Sequence, residues 1–323
     1  MPPFEFRFRV IPVNGIAMNV AEYGEGPLVL FCHGWPEIWY SWRHQLIALA
    51  AAGFRAVAPD MRGFGRTSAP QDEAAYTILH TVGDMVALVA ALGETRALIV
   101  GHDWGAPVAW HCALLRPDIF RACALLSVPY LPRGSTRPSV TWAALENTGK
   151  HFYQSYFQEP GRVEAELDAD PWRSMAMILY SASGDPPPEE RWQFLFPRAK
   201  TFIESGVVPT RLPPWLSKAD VEFFAGEFKR AGFRGGINWY RNFDRNWEMT
   251  AFLDGALLRQ PSMFAAGEHD CVLAMIGGDA SPIVKASMPA CRKLTILPGA
   301  GHWIQQERPA EINGLLVEFA KGI

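Results

Sequence analysis

Long hydrophobic runs are missing from this 323-residue sequence. Its most apolar stretches, at 46–52 and 85–92, fall well short of the roughly 20 residues a membrane-spanning helix needs, so no membrane anchor is expected. The opening Met-Pro-Pro-Phe-Glu-Phe-Arg has no apolar core of the kind a signal peptide carries. Excess positive charge is also missing. Thirty Lys and Arg stand against 33 Asp and Glu, a net charge of −3, which offers no basic field for nucleic acid. Cysteine is scarce: Cys32, Cys112, Cys123, Cys271 and Cys291 are odd in number and show neither a CxxC pair nor zinc-ligand spacing. Small buried thiols in a reducing cytoplasm are expected, with no disulfide framework, no metal and no cofactor. There is no internal repeat, and the one proline run, 186–188, is too short to be a recognition tract.

Short apolar runs alternating with helical patterns are what the chain does contain. Strands are expected at 28–32, 54–59, 97–100 and 122–127, with helices at 41–53, 77–93 and 106–115 between them. The alternation resumes with strands at 262–266 and 293–297 and a last helix at 309–321. Near-continuous apolar strands separated by helices imply a mostly parallel sheet covered by helices on both faces. Between 131 and 246 the character changes to an aromatic-rich, mainly helical segment. Strands of one sheet flank it, so the expected organisation is a core of 1–130 and 247–323 with a helical cap of 131–246 inserted into it.

Gly101-His102-Asp103-Trp104-Gly105 follows an expected strand and opens an expected helix. This is the setting of the G-x-S-x-G elbow, where a nucleophile sits on a tight strand-to-helix turn flanked by glycines. Here the central residue is aspartate. A carboxylate attacking a carbonyl would give a labile anhydride, whereas at saturated carbon it forms an alkyl ester that water can later cleave. The chemistry indicated is displacement at an sp³ carbon, in an epoxide or an alkyl halide. An aspartate that only caps the helix is the competing explanation for the motif taken alone.

Other motifs fill the remaining roles. After the strand ending at Cys32, the turn His33-Gly34-Trp35-Pro36-Glu37 would make the Trp35 and Trp104 backbone N–H groups an oxyanion hole. Eight histidines are present, and position in the order nucleophile–acid–histidine selects His302 in Gly301-His302-Trp303 as the base. Gly267-Glu268-His269-Asp270 follows the strand at 262–266 and supplies the acid as Asp270, with Glu268 its rival. The alternative acid position after the strand at 122–127 carries Ser127-Val128-Pro129 and no carboxylate. The run Asp60-Met61-Arg62-Gly63-Phe64-Gly65-Arg66 is expected only to organise a loop.

The leaving group separates the two substrate classes. Ring opening produces an alkoxide, which needs a proton donor; a tyrosine hydroxyl, with a pKa of about 10, can supply one at neutral pH. Halide needs only weaker N–H donors. The segment 131–246 contains Tyr153-Gln154-Ser155-Tyr156-Phe157-Gln158-Glu159-Pro160-Gly161 and Arg230-Ala231-Gly232-Phe233-Arg234-Gly235-Gly236-Ile237-Asn238-Trp239-Tyr240. With HGWPE, GHDWGAPVAW, the G-x-x-D acid and GHW, these motifs make the chain resemble the soluble epoxide hydrolase family, from near residue 28 to near 305.

That resemblance implies the α/β-hydrolase fold with a cap, hydrolysis of an epoxide to a vicinal diol, and no cofactor. It implies Tyr153 and Tyr240 as ring-opening acids, with Tyr156 a local rival, and Gln154, Trp35 and Trp104 around the substrate. A small, apolar epoxide is the expected partner, and a monomer or homodimer the expected assembly. Tryptophan at position 35 departs from the phenylalanine more usual there; only its N–H is needed, so the chemistry is unaffected. The alternatives are a haloalkane dehalogenase of the same fold and a non-catalytic ligand-binding member. HGWPE and the two tyrosines speak against the first, and the filled complement of catalytic positions against the second. Asp103 all but excludes an ordinary esterase.

Overall fold

A computed structural model describes residues 6–323, so most of the opening heptapeptide read for a signal lies outside the described residues. The first two strands, β1 (Arg7–Val13) and β2 (Ile16–Tyr23), form a hairpin. Then come β3 (Leu28–Cys32), β4 (Arg55–Pro59), β5 (Ala97–His102) and β6 (Phe120–Leu126). Two short strands, β7 (Lys150–Phe152) and β8 (Leu195–Pro197), pair only with each other. The chain then returns with β9 (Ser262–Gly267) and β10 (Cys291–Leu297).

Eight of these strands make one sheet in the order β1-β2-β4-β3-β5-β6-β9-β10. The pairings from β4 to β10 are parallel, while β1–β2 and β2–β4 are antiparallel. The expected parallel strands are present with ends shifted by a few residues. The hairpin was not anticipated. Asn14 and Gly15 both take positive φ, +43° and +79°, the twist a two-residue hairpin turn needs. Pro12 is tolerated because β1 is an edge strand.

The central strands alternate between two buried cores. Val29, Phe31, Val100, Ala124 and Ala265 face the helices Arg43–Ala51 and Pro309–Lys321 through Leu46, Leu49, Ile312 and Leu316. Leu30, Cys32, Ile99, Leu125 and Phe264 face Ile78–Ala91 and Gly105–Leu115 on the other side. Burial on both faces explains why these strands read as unbroken apolar runs.

Between β6 and β9 lie the helices Pro138–Glu146, Tyr153–Tyr156, Arg162–Ala169, Pro171–Ser181, Lys218–Ala231, Arg234–Arg241 and Phe243–Met249, besides the β7–β8 ladder. Polar contacts tie this segment to the sheet side. Asp220 meets Arg43 at 3.3 Å and accepts from the Tyr40 hydroxyl at 2.9 Å; Glu227 pairs with Arg66 at 3.0 Å. The Trp239 indole N–H donates to the Arg62 carbonyl at 3.0 Å.

Candidate active site

Asp103 sits between β5 and the helix Gly105–Leu115 with φ +48°, a left-handed conformation that costs a non-glycine residue energy. Its neighbours make the turn possible. A methyl group on Gly101 would run into the Gly105 carbonyl, and one on Gly105 into the Cys32 carbonyl. The turn after β3 approaches the Asp103 carboxylate. The Trp35 backbone N–H donates to Asp103 Oδ1 at 2.7 Å. Gly34 is confined by this contact, since a Cβ there would collide with the Asp103 side chain.

On the other side, His302 Nε2 lies 3.5 Å from Asp103 Oδ2, and His302 Nδ1 lies 3.0 Å from Asp270 Oδ1. Asp270 follows β9, is buried, and also accepts from the Val272 N–H at 2.8 Å as the cap of a short helix. Its rival Glu268 is exposed and accepts from Gly299 N–H at 2.9 Å in the neighbouring loop. Burial alone would disfavour charge on both His302 and Asp270. For His302, the carboxylates of Asp270 and Asp103 outweigh it and hold the imidazole well above its ordinary pKa. For Asp270, the facing imidazole outweighs it and holds the carboxyl below the usual range.

Tyr153 and Tyr240 stand together over Asp103, their rings 5.9 Å apart, and both line the two cavities that meet at the carboxylate. Tyr240 packs edge-on against Trp35 and Trp104, at 5.7 and 5.2 Å between centroids. Burial, reinforced by the Asp103 charge, raises both phenols far above their ordinary pKa, so they remain protonated donors. Gln154 Nε2 donates to the Tyr153 oxygen at 2.8 Å. Tyr156 points elsewhere, its hydroxyl donating to Glu166 at 2.5 Å. The smaller cavity is walled by Trp35, Met177, Ile178, Phe202 and Trp303; the larger runs past Trp104, Trp110, Leu114 and Phe243.

Several residues around these groups were not singled out from the sequence. Glu37, fully buried, accepts from Gly34 N–H at 3.0 Å and Gln305 Nε2 at 2.8 Å, and lies 2.7 Å from His102 Nδ1. His102 Nε2 in turn lies 2.8 Å from the His302 carbonyl, which also accepts from Ser127 Oγ at 2.8 Å. One buried chain of hydrogen bonds thereby joins the turn after β3 to the loop carrying His302. Burial works against the Glu37 charge, but the imidazole beside it wins and lowers that carboxyl to about 2. Glu307 fixes the same loop by accepting from the N–H groups of Gly301 and Trp303, at 2.8 and 2.9 Å. Glu37 and His102 lie inside motifs legible in the sequence, directly beside the functional residues; only their pairing across 65 residues was hidden.

Asp60 performs the loop-organising role expected of its run. Its carboxylate accepts from Asn19 Nδ2 and from the N–H groups of Trp39 and Arg66, at 2.8 to 3.0 Å.

Residues 27–309 match the family model described as alpha/beta hydrolase fold. The chain is 44% identical over 322 residues to epoxide hydrolase A of Mycobacterium tuberculosis, covering 98% of this chain and 97% of that protein. It is 42% identical to epoxide hydrolase 2 of Siraitia grosvenorii, covering 96% and 97%. Among solved structures, an epoxide hydrolase from an endophytic Streptomyces superposes with a TM-score of 0.94 at 46% identity, covering 98% and 96% of the two chains. The elbow with its aspartate, the histidine and acid behind it and this likeness along nearly the whole chain converge: the protein belongs to the epoxide hydrolases of the α/β-hydrolase fold.

Proposed function

We propose that the chain hydrolyses an apolar epoxide to a vicinal diol in two covalent steps, with Asp103 as nucleophile. The observation that carries this reading is the division of labour between the two Asp103 oxygens. Oδ1 accepts the Trp35 N–H, and Oδ2 faces His302 and the cavities. Oδ2 attacks a ring carbon, the C–O bond of the ring breaks, and Tyr153 or Tyr240 passes a proton to the departing oxygen. Two donors sharing that oxygen limit how far either must become a phenolate, which their burial makes costly.

The ester that results has Oδ1 as its carbonyl oxygen, beside the Trp35 N–H that it already accepts from, and the Trp104 N–H is the second donor of the proposed oxyanion hole. Esterification also removes the negative charge beside His302, so its raised pKa falls, the imidazolium proton passes to solvent until the carboxylate is regenerated, and the free imidazole becomes available as a base. His302, oriented by Asp270, takes a proton from water as the oxygen adds to the Asp103 carbonyl carbon. The tetrahedral intermediate expels the diol oxygen, which receives that proton from His302. The acid proton left on Asp103 returns to the tyrosine, and water and epoxide are balanced by diol. Removing one oxyanion donor in comparable sites costs about 3–4 kcal/mol.

Residues 131–246 act in this reading as the cap that brings the acids to the nucleophile. Gln154 holds the Tyr153 hydroxyl, and Trp35 and Trp104 wall the substrate. The aromatic and aliphatic cavity walls support an aryl or alkyl epoxide. Among the described residues no helix is long and apolar enough to cross a membrane. Five free cysteines support a cytoplasmic location. Incubation with styrene oxide and with 1-bromobutane, following diol and bromide separately, tests the assignment. Diol without bromide is expected; bromide without diol would overturn it.

A further inference from the structure

A cysteine directly follows the acid of the triad, and its place gives that pair a third donor. The Asp270 carboxylate, the Cys271 thiol and a ring nitrogen of His302 offer atoms that all lie within 4.8 Å of one another. Asp270 Oδ2, in a side chain 1% exposed, makes no hydrogen bond within 3.5 Å, and only the Ser127 hydroxyl competes for this carboxylate besides His302 and the Val272 N–H, so this site holds a weakly committed acceptor. Cys271 is half-buried and faces two spaces. One is the cavity that holds Asp103; the other is lined by Arg191, Glu268, His269 and Asp270. Glu268 is exposed, so a small ion can reach the thiol from solvent without crossing the substrate cavity.

We propose that Asp270, Cys271 and His302 form an inhibitory site for a soft divalent cation such as Zn²⁺ or Cd²⁺. Thiolate, imidazole and carboxylate are the donors these ions select, and three protein ligands with one open position is a common arrangement. Bond lengths of roughly 2.0–2.3 Å to a tetrahedral ion require donor atoms closer together than the present limit. Rotation of the Cys271 side chain at the first position of the short helix Cys271–Met275 supplies that movement. Formation of the metal–sulfur and metal–nitrogen bonds sends the thiol proton and the imidazolium proton of His302 to solvent.

The consequence rests on the reading of His302 as the water-activating base. A neutral imidazole has one lone pair, and a bound cation takes it whichever nitrogen is used. Ring opening does not need that lone pair, but hydrolysis of the Asp103 ester does. The cation therefore stops the second step and lets the ester accumulate.

The full-length protein should be titrated with CdCl₂ while the ultraviolet thiolate-to-cadmium charge-transfer absorption is recorded. Diol formation is measured in parallel with and without ZnCl₂, then with EDTA. One cadmium-dependent band, absent in Cys271→Ala and Cys271→Ser but kept in Cys291→Ala, is expected. The zinc concentration for half-inhibition, read as a ratio within each protein, should rise on the order of a hundredfold in both Cys271 variants. EDTA should restore wild-type turnover, and intact mass should show the ester in the zinc-treated enzyme given epoxide. Equal zinc sensitivity in wild type and both variants, or a band that survives both, would overturn the proposal. If no epoxide is turned over at all, the functional reading fails while the cadmium band remains; a missing band in an active enzyme sinks the site alone.

Discussion

Gly236 lies against the indole of Trp35: a Cβ built on its backbone would come within 2.6 Å of Trp35 Cδ1 and 2.7 Å of the Phe64 ring. One turn along the same helix, Arg234–Arg241, stands Tyr240. Gly235 makes a similar approach to Gly63, whose own Cβ would lie 2.9 Å from Gly235 Cα. Two consecutive glycines let this helix descend onto the loops that carry Trp35 and Phe64. Its height sets the distance between the proposed proton donor, Tyr240, and the proposed nucleophile, Asp103.

Gly236→Ala should therefore lift or tilt that helix. Forcing a methyl group into a packed contact costs about 1–3 kcal/mol, so a lowered melting temperature with retained circular dichroism is expected. Diol formation should fall further than stability predicts, because Tyr240 is displaced from the departing oxygen. Unchanged kcat/KM in a folded variant would show that helix height does not govern the acid.

Tyr153→Phe and Tyr240→Phe each remove one of the two proposed donors to the same oxygen. Each should slow ester formation, and the double variant should lose about 10²–10⁴-fold, the usual contribution of general acid catalysis. Rapid-quench measurement of Asp103 ester formation and decay separates the steps. Decay should be little changed in the single variants; equal slowing of both steps would indicate damage to the whole site.

Much of the proposed site was legible because its parts occupy short, ordered motifs. Asp103 carries its chemistry in its residue type, and its two glycines announce the crowded turn; Asp270 and His302 follow in the order the fold imposes. The central strands were legible because both of their faces are buried. Less visible was anything set by pairing across the chain. Glu37 and His102 each sit beside a motif residue, but only folding brings them within 2.7 Å. The Gly235-Gly236 pair has meaning only against Gly63, Phe64 and Trp35, and Tyr156 was set apart from Tyr153 only by its bond to Glu166. The β1–β2 hairpin escaped for another reason. Its Asn14-Gly15 turn is a strong local signal, but β1, on the edge, alternates weakly between buried and exposed positions.

Glu37 gives the site a dependence on acid. Its folded carboxyl is lowered to about 2, below the value of an unfolded glutamate near 4.5. A lowered carboxyl contributes stability that is complete above the unfolded value and is lost as pH falls toward the folded one. Urea unfolding should show wild type more stable than Glu37→Gln at pH 7, with the gap narrowing between about pH 4.5 and 2. A gap independent of pH would mean that the charge on Glu37 contributes nothing to the network.

His302→Gln divides the reaction at its midpoint. In the proposed mechanism the substitution removes the group that takes a proton from water but leaves Asp103 Oδ2, Tyr153 and Tyr240 free to open the ring. Asp103 should then react once and stop, since an alkyl ester of an aspartate is stable to unactivated water over the time of an experiment. Intact mass should rise by the mass of one epoxide per chain, and peptide mapping should locate the increase at Asp103. Steady-state diol formation should fall about 10²–10⁴-fold, the range expected for loss of a general base. Asp103→Asn serves as the control, with no adduct and no turnover. An active His302→Gln protein without an adduct, or an adduct that persists in Asp103→Asn, would rule out the two-step route. Product would then have to come from direct attack of water on the ring, a task for which Asp103 is placed as a base and His302 is not required.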